Sequence, residues 1–236
     1  MAYKKSFKAQ PMFDTVSVVA AAILAYRTNG QIEKADLKVN DLRLTGDEWL
    51  PTPVVVKSNK TMVTEFLEHP ELLTQELLDE AKAQILAVQG QLTLAVLTGK
   101  KVSDFVRDLA VVIENDQIQQ YRIGLVVYVP NVYKTIQAKE KIAETINENL
   151  YTSIALGAPG QKLAVNFTLI EKRYIQSINC FSAFGKDENG NFVQFLTPHE
   201  DRCVTGKLSG KVKAVGNDKW HNNAMVTNLN FVKVVA

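Results

Sequence analysis

The hydrophobic pattern of this 236-residue chain changes once, at the turn cluster Gly157-Ala158-Pro159-Gly160-Gln161. Before the cluster, apolar residues recur at three- and four-residue spacing, the period of helices buried along one face. After it they alternate every second residue, as in strands with one wet face. One period cannot serve both kinds of element, so the chain divides into a mainly helical part, residues 1–157, and a β part, residues 158–236. Hydrophobic residues make up 46% and charged residues 22%, enough apolar surface for a real core.

In the helical part, "FDTVSVVAAAILAYRTNG" offers Asp14 or Thr15 as N-cap and Gly30 as stop. It is apolar nearly all round, which predicts burial. Residues 31–57 are read as irregular, with two short strands at "DLRL" and "TPVVVK" around Pro51 and Pro53. "HPELLTQELLDEAKAQILAVQG" predicts a helix that begins at Pro70, ends at Gly90, and buries Leu73, Leu77, Ala81, Ile85 and Leu86. "KKVSDFVRDLAVVIEN" predicts another, capped by Ser103, with Phe105, Leu109 and Val112 on one face. "YRIGLVVYVP" is a β-branched run ended by Pro130 and reads as a strand. "NVYKTIQAKEKIAETINENL" predicts a third helix, with Ile136, Ala143, Ile146 and Leu150 inward.

In the β part, "KLAVNFTLIEKRY" places Leu163, Val165, Phe167 and Leu169 on one side. "QSINCFSAFG" and "NFVQFL" follow, joined by the hairpin signal Asn189-Gly190. "GKLSGKVKAV" alternates Leu208, Gly210, Val212 and Ala214 against Lys207, Ser209, Lys211 and Lys213, and "MVTNLNFVKVV" completes the set. Five strands at this spacing suit a small closed Greek-key barrel, and closure removes the exposed edges of a free sheet. The expected fold class is therefore α+β: a helical N-terminal part followed by a small five-stranded OB-like antiparallel β-barrel. An open sheet packed on the helices is the alternative.

Searches for catalytic patterns fail. "GAPGQK" and "TGKK" lack the spacing of a phosphate-binding loop, and neither G-x-S-x-G nor H-E-x-x-H occurs. Cys180 and Cys203 form no C-x-x-C pair. His69, His199 and His221 are read as surface loop residues and Cys180 as a buried strand residue, so no metal and no cofactor is expected. The expectation is a protein that is not an enzyme. The apolar run Val16–Ala25 is too short for the ~20 residues of a membrane span. With no secretion signal in view, a cytoplasmic protein without a membrane partner is expected.

The net charge of +2 says nothing about partners, but its distribution does. From Lys162 onward, ten Lys/Arg face six Asp/Glu, a net +4; the rest of the chain holds 17 against 19, a net −2. A basic segment rich in aromatics fits a nucleic acid, which needs cations at its phosphates and flat side chains for its bases. Lys207, Lys211 and Lys213 form a comb on one strand, Lys172 and Arg173 end another, and Lys219 and Trp220 occupy a polar tip between the last two strands. Tyr174 and Phe181 are further candidates for stacking. Each feature also has a plainer reading: a solvated strand face for the lysines, an indole folded over the core for Trp220, and core packing for the phenylalanines.

Gly210-Lys211-Val212-Lys213 followed by Thr227-Asn228-Leu229-Asn230-Phe231-Val232-Lys233-Val234 resembles a pattern near the C-terminus of bacteriophage replication-associated proteins, and "AFGKDENGNFVQFL" resembles the hairpin that precedes it. The resemblance covers the β part and extends faintly to "AAILAYRTNG". It departs at Ala214-Val215, where an aromatic or basic residue is common, and at the closing "FVKVVA", where many such proteins carry an acidic tail. The resemblance implies an OB-fold single-stranded DNA-binding protein of phage replication or recombination, largely indifferent to sequence and acting in the host cytoplasm. Its implied partners are single-stranded DNA, other replication proteins and further copies of itself. The alternative from a different class is a phage protein-interaction module, an inhibitor of a host enzyme or a particle component, that binds no nucleic acid.

Overall fold

A computed structural model describes residues 11–45, 48–99 and 101–235, the side chains of 38–55 excepted. The chain forms two compact units, Met1–Gln137 and Ala138–Ala236. The division falls inside a long helix, well before the turn cluster at 157–161.

The first unit is built around α1 (Thr15–Asn29), whose Val18 through Ile23 and Ala25 are all buried. Small side chains let α2 (Asn59–Glu68) and α3 (Gln75–Thr98) pack closely on it. Local chemistry fixes the helix ends. The Asp14 carboxylate accepts from Ser17 N at 2.8 Å, and Gly30 leaves the helix at φ 73°. Ser58, Thr74 and Ser103 cap α2, α3 and α4 (Asp104–Ile113) in the same way. A short strand β1 (Met12–Asp14) pairs with β4 (Gln117–Gln119).

Three expectations are corrected here. Residues 37–56 form a regular antiparallel hairpin, β2 (Leu37–Thr45) and β3 (Glu48–Val56). Pro51 and Pro53 sit at the same parity of this two-stranded ladder, where a missing N–H can face away from the partner strand. Helix α3 passes through Gly90 and stops at Gly99, which supplies the left-handed φ of 66°; it buries Leu77, Ala81, Ile85 and Val88 and leaves Leu86 exposed. The run 121–130 is helical, with α5 (Ile123–Val126) leading into α6 (Val129–Asn149). Ile123, Val126 and Val129 are buried at three-residue spacing, and Pro130 lies in the first turn of α6, where its missing N–H costs nothing.

The second unit contains the tail of α6 and five strands: β5 (Lys162–Ile175), β6 (Cys180–Lys186), β7 (Phe192–Thr197), β8 (Gly206–Asp218) and β9 (Ala224–Val234). Their ladders close in the order β5-β6-β7-β9-β8. The sheet is mixed rather than antiparallel as expected, because β7 and β9 run parallel from Phe192↔Val226 to Phe195↔Leu229. The reason is arithmetic: five is odd, so strand direction cannot alternate all the way round a closed ring of five. Inside lie Val165, Phe167, Ala183, Val193, Phe195, Leu208, Val212, Leu229 and Val232. On the outward side, Phe184, Phe192 and Val226 pack with Ile142, Ile146 and Leu150 of the α6 tail and its end. Ala143, expected inward, is exposed, and Ile142 takes its place.

Candidate nucleic-acid interface

The β8–β9 connection, residues 219–223, is held from several directions. The Asp218 backbone carbonyl accepts from His221 N at 3.1 Å and Asn223 N at 2.9 Å, and its carboxylate accepts from Trp220 N at 2.9 Å. Asn222 and Asn223 take left-handed φ values of 53° and 63°, a conformation asparagine tolerates well. Asn222 Nδ2 also donates to Asn147 Oδ1 at 3.0 Å.

His221 locks the loop down. Its Nδ1 lies 2.7 Å from Asp218 Oδ2 and its Nε2 3.4 Å from Glu171 Oε2. Its ring stacks face to face on Phe184, with centroids 3.7 Å apart and planes within 3°. It is only 8% exposed, which corrects the surface reading for this histidine, while His69 and His199 are exposed as expected. With its neighbour tied down, Trp220 stands out at 84% exposure instead of folding over the core.

Two grooves meet beneath the indole. One is lined by Glu171, Arg173, Ser182, Phe184, Gln194 and His221, the other by Gln194, residues 214–218 and Asn228, and Trp220 borders both. Gln194 Nε2 donates to Ser182 Oγ at 3.2 Å across the floor. The groove therefore offers a flat aromatic wall, amide and hydroxyl groups, and the Arg173 guanidinium. Both carboxylates nearest Trp220, Asp218 and Glu171, are turned toward His221.

The structure brings Arg173 and Trp220 to one groove, with exposed Lys219 beside the indole in sequence. It separates the others from them. Lys172 follows Glu171 on β5 and so points to the opposite face; its ammonium bonds Glu200 Oε1 at 2.7 Å, which raises its pKa. Tyr174 is on that same side, its ring 5.0 Å from Phe181 and its hydroxyl donating to Asn179 Oδ1. Phe181 is partly buried against the barrel interior.

The lysine comb is broken. The β8–β9 ladder shifts register twice: between Ser209 and Lys211 the extra residue is on β9, and between Val212 and Ala214 it is Lys213 of β8. Beyond the second bulge Ala214 is exposed and Val215 packs inward, reversing the expected faces. Lys213 is exposed at that bulge. Lys207 borders a groove with Asp187 and Glu188, and Lys211 lies beside Lys162, Phe231 and Lys233.

Sequence reasoning missed the supporting group Glu171, Asp218 and Gln194, and underused His221. The Asp218–His221 spacing of three was a local signal; Glu171 lies fifty residues away from His221 and gave none. Cys203, not Cys180, is the buried cysteine, and burial pushes its thiol pKa up. Among the described residues no group of three or more His, Cys, Asp or Glu could hold a metal, and no helix is long and apolar enough to cross a membrane. The chain matches no family model, no curated protein and no solved structure.

Proposed function

We propose that this chain binds single-stranded DNA through its C-terminal barrel, largely without regard to sequence, in phage DNA replication or recombination. The observation that carries the reading is Trp220, an exposed indole on a loop pinned by His221 above a polar groove that contains Arg173. A pinned aromatic stacks on any base without first having to be ordered, which is how sequence-tolerant single-strand binding gains its energy.

The topology supports the same reading. We read the closed five-stranded sheet, with its third and fifth strands parallel, as an OB-like barrel. In that fold the loop between strands four and five, here residues 219–223, is one of the two that embrace oligonucleotides. The net positive charge from Lys162 onward adds attraction for phosphates.

The test is fluorescence anisotropy of labelled single- and double-stranded oligonucleotides across a salt series. Preferential single-strand binding that weakens with salt, by about 0.7 of a log unit per log unit of salt for each phosphate contacted, is the expected result. Absence of binding at low salt would sink the proposal.

For the helical unit a different role has its own observation. Leu86, Leu94, Val96 and Leu97 are all exposed along α3, an apolar stretch suited to a protein contact. Light scattering of the chain alone tests self-association: a monomer at all concentrations leaves a second protein as the candidate for that surface.

A further inference from the structure

Phe231 stands in β9 at φ 56°, a backbone conformation that a bulky aromatic rarely adopts. The local register explains it. Between the pairs Ser209↔Lys233 and Lys211↔Asn230, β9 spends two residues, Phe231 and Val232, where β8 spends only Gly210. Val232 is buried in the barrel, and Phe231 is turned outward to 80% exposure. Gly210 permits the close approach: a Cβ there would lie 3.2 Å from both Asn230 O and Val232 Cγ2. The backbone thus holds a large apolar ring in water, where the fold itself gains nothing from it.

The ring's surroundings identify a ligand chemistry. It borders a groove of about 520 Å³ with Lys162 of β5, Lys211 of β8 and Lys233 of β9. Among the described residues none of these lysines has a carboxylate partner; of the six acids from Lys162 onward, five are bonded elsewhere and the sixth, Asp201, lies near Cys203 and does not line this groove. Glu171 and Asp218 bond His221, Glu200 bonds Lys172, Asp187 holds its own turn and Glu188 bonds Asn166. Three unpaired cations around one exposed aromatic complement a polyanion whose units carry a π-face. An acidic peptide would match the charge but leave the flat ring without a flat partner.

We propose that Phe231, Lys162, Lys211 and Lys233 form a second station for single-stranded nucleic acid, with Phe231 stacking a base and the lysines taking the flanking phosphates. This rests on the single-strand reading given above. The station adjoins the Trp220 groove on the same ribbon. Asn228 of that groove is three residues from Phe231 on β9, roughly 10 Å at strand rise. A strand seated at Trp220 therefore reaches Phe231 by continuing along β9, and occupying both stations multiplies affinity.

The test compares a short labelled oligothymidine of about four nucleotides with one of about sixteen on the full chain and three variants: Phe231→Gly, which keeps the left-handed backbone, Lys211→Ser and Trp220→Ala. Circular dichroism and thermal melting serve as controls on folding. Phe231→Gly should weaken the long oligonucleotide roughly 5- to 150-fold and leave the short one nearly unchanged. Lys211→Ser should lower the salt slope for the long one by about 0.7. If Trp220→Ala weakens binding while neither Phe231→Gly nor Lys211→Ser alters the long oligonucleotide, the second station is wrong and the Trp220 reading stands. Equal losses on both lengths would make Phe231 part of a single site and also overturn the proposal. A dimer that Phe231→Gly dissolves, with DNA binding intact, would assign the ring to a second copy of the chain. No binding by the unaltered chain removes both readings together.

Discussion

The pinning of Trp220 by His221 can be tested with a double-mutant cycle. Trp220→Ala removes one base stack, worth about 1–3 kcal/mol by alanine substitution. The indole is 84% exposed, so the fold loses little with it. His221→Ala leaves the indole in place but removes the stack on Phe184 and the bonds to Asp218 at 2.7 Å and Glu171 at 3.4 Å. If residues 219–221 then move freely, binding must order three residues at about 1–2 kcal/mol of backbone entropy each. That exceeds what one stack returns, so His221→Ala should approach the Trp220→Ala loss without passing it. The double variant should bind like Trp220→Ala alone, giving a coupling energy close to the whole His221→Ala effect, about 1–3 kcal/mol. The assay is anisotropy with one single-stranded oligonucleotide at fixed salt, each variant first checked for a native dichroism spectrum. Additive losses would refute the reasoning, because His221 would then contribute on its own account. Wild-type binding by His221→Ala would show that the Asp218 and Asn147 bonds hold the loop unaided.

Other expectations follow from single contacts. A Cβ on Gly185 would lie 2.2 Å from Thr168 O and 2.6 Å from the Phe167 ring; Gly185→Ala should cost about 3 kcal/mol in a urea melt, and a loss under about 1 kcal/mol would mean that β5 bends easily there. Cys203 is 3% exposed with a thiol pKa raised by burial, so iodoacetamide at neutral pH should label Cys180 in the folded chain and Cys203 only after unfolding. Hydrogen bonds from Ser58 and Thr61 hold the Asp36 carboxyl below its usual range. A depressed folded pKa contributes stability that is complete above the unfolded value, about 3.9, and is lost as pH falls through the folded value. The stability deficit of Asp36→Asn should therefore shrink in acid, and an equal deficit at about pH 2 and pH 7 would show that the carboxylate charge is irrelevant.

Features decided within a few residues were legible in the sequence. Asp14 and Ser103 cap as expected because an N-cap is a contact between a side chain and a backbone N–H three residues on, and Gly30 stops α1 through its own left-handed backbone. The end of α3 was not legible: Gly90 and Gly99 offer the same freedom, and the apolar residues between them continue the helix. The run 121–130 misled because β-branched residues suit a strand in isolation, while burial at 123, 126 and 129 selects a helix. At the site, Trp220 could be placed at a loop tip from its polar neighbours, but the contact of its neighbour His221 with Glu171 is tertiary. Phe231 was hidden for another reason. Alternation from Leu229 would send it inward, and only the bulge opposite Gly210 reverses that face and gives the core Val232 instead.

The covering of the barrel gives a direction to the proposed strand path. Outward residues of β6, β7 and β9 would form a continuous surface, but Phe192 and Val226 are fully buried in the cluster with Ile142, Ile146 and Leu150 and are closed to ligand. A nucleic acid that meets Trp220 therefore cannot continue toward the start of β7 and β9. The open direction runs past Asn228 along the β8–β9 ribbon, toward Lys211, Lys233 and Phe231. The tail of α6 thus acts on binding by exclusion. Ile146→Ala exposes Phe192 and loosens that cover at a cost of about 2–5 kcal/mol to the unit's stability, yet the affinity of the remaining folded protein should not rise, because the path past Asn228 leads away from this cluster. An affinity gain in Ile146→Ala, measured where the variant is fully folded, would show that the strand crosses the face the helix covers, and the path toward Phe231 would have to be abandoned.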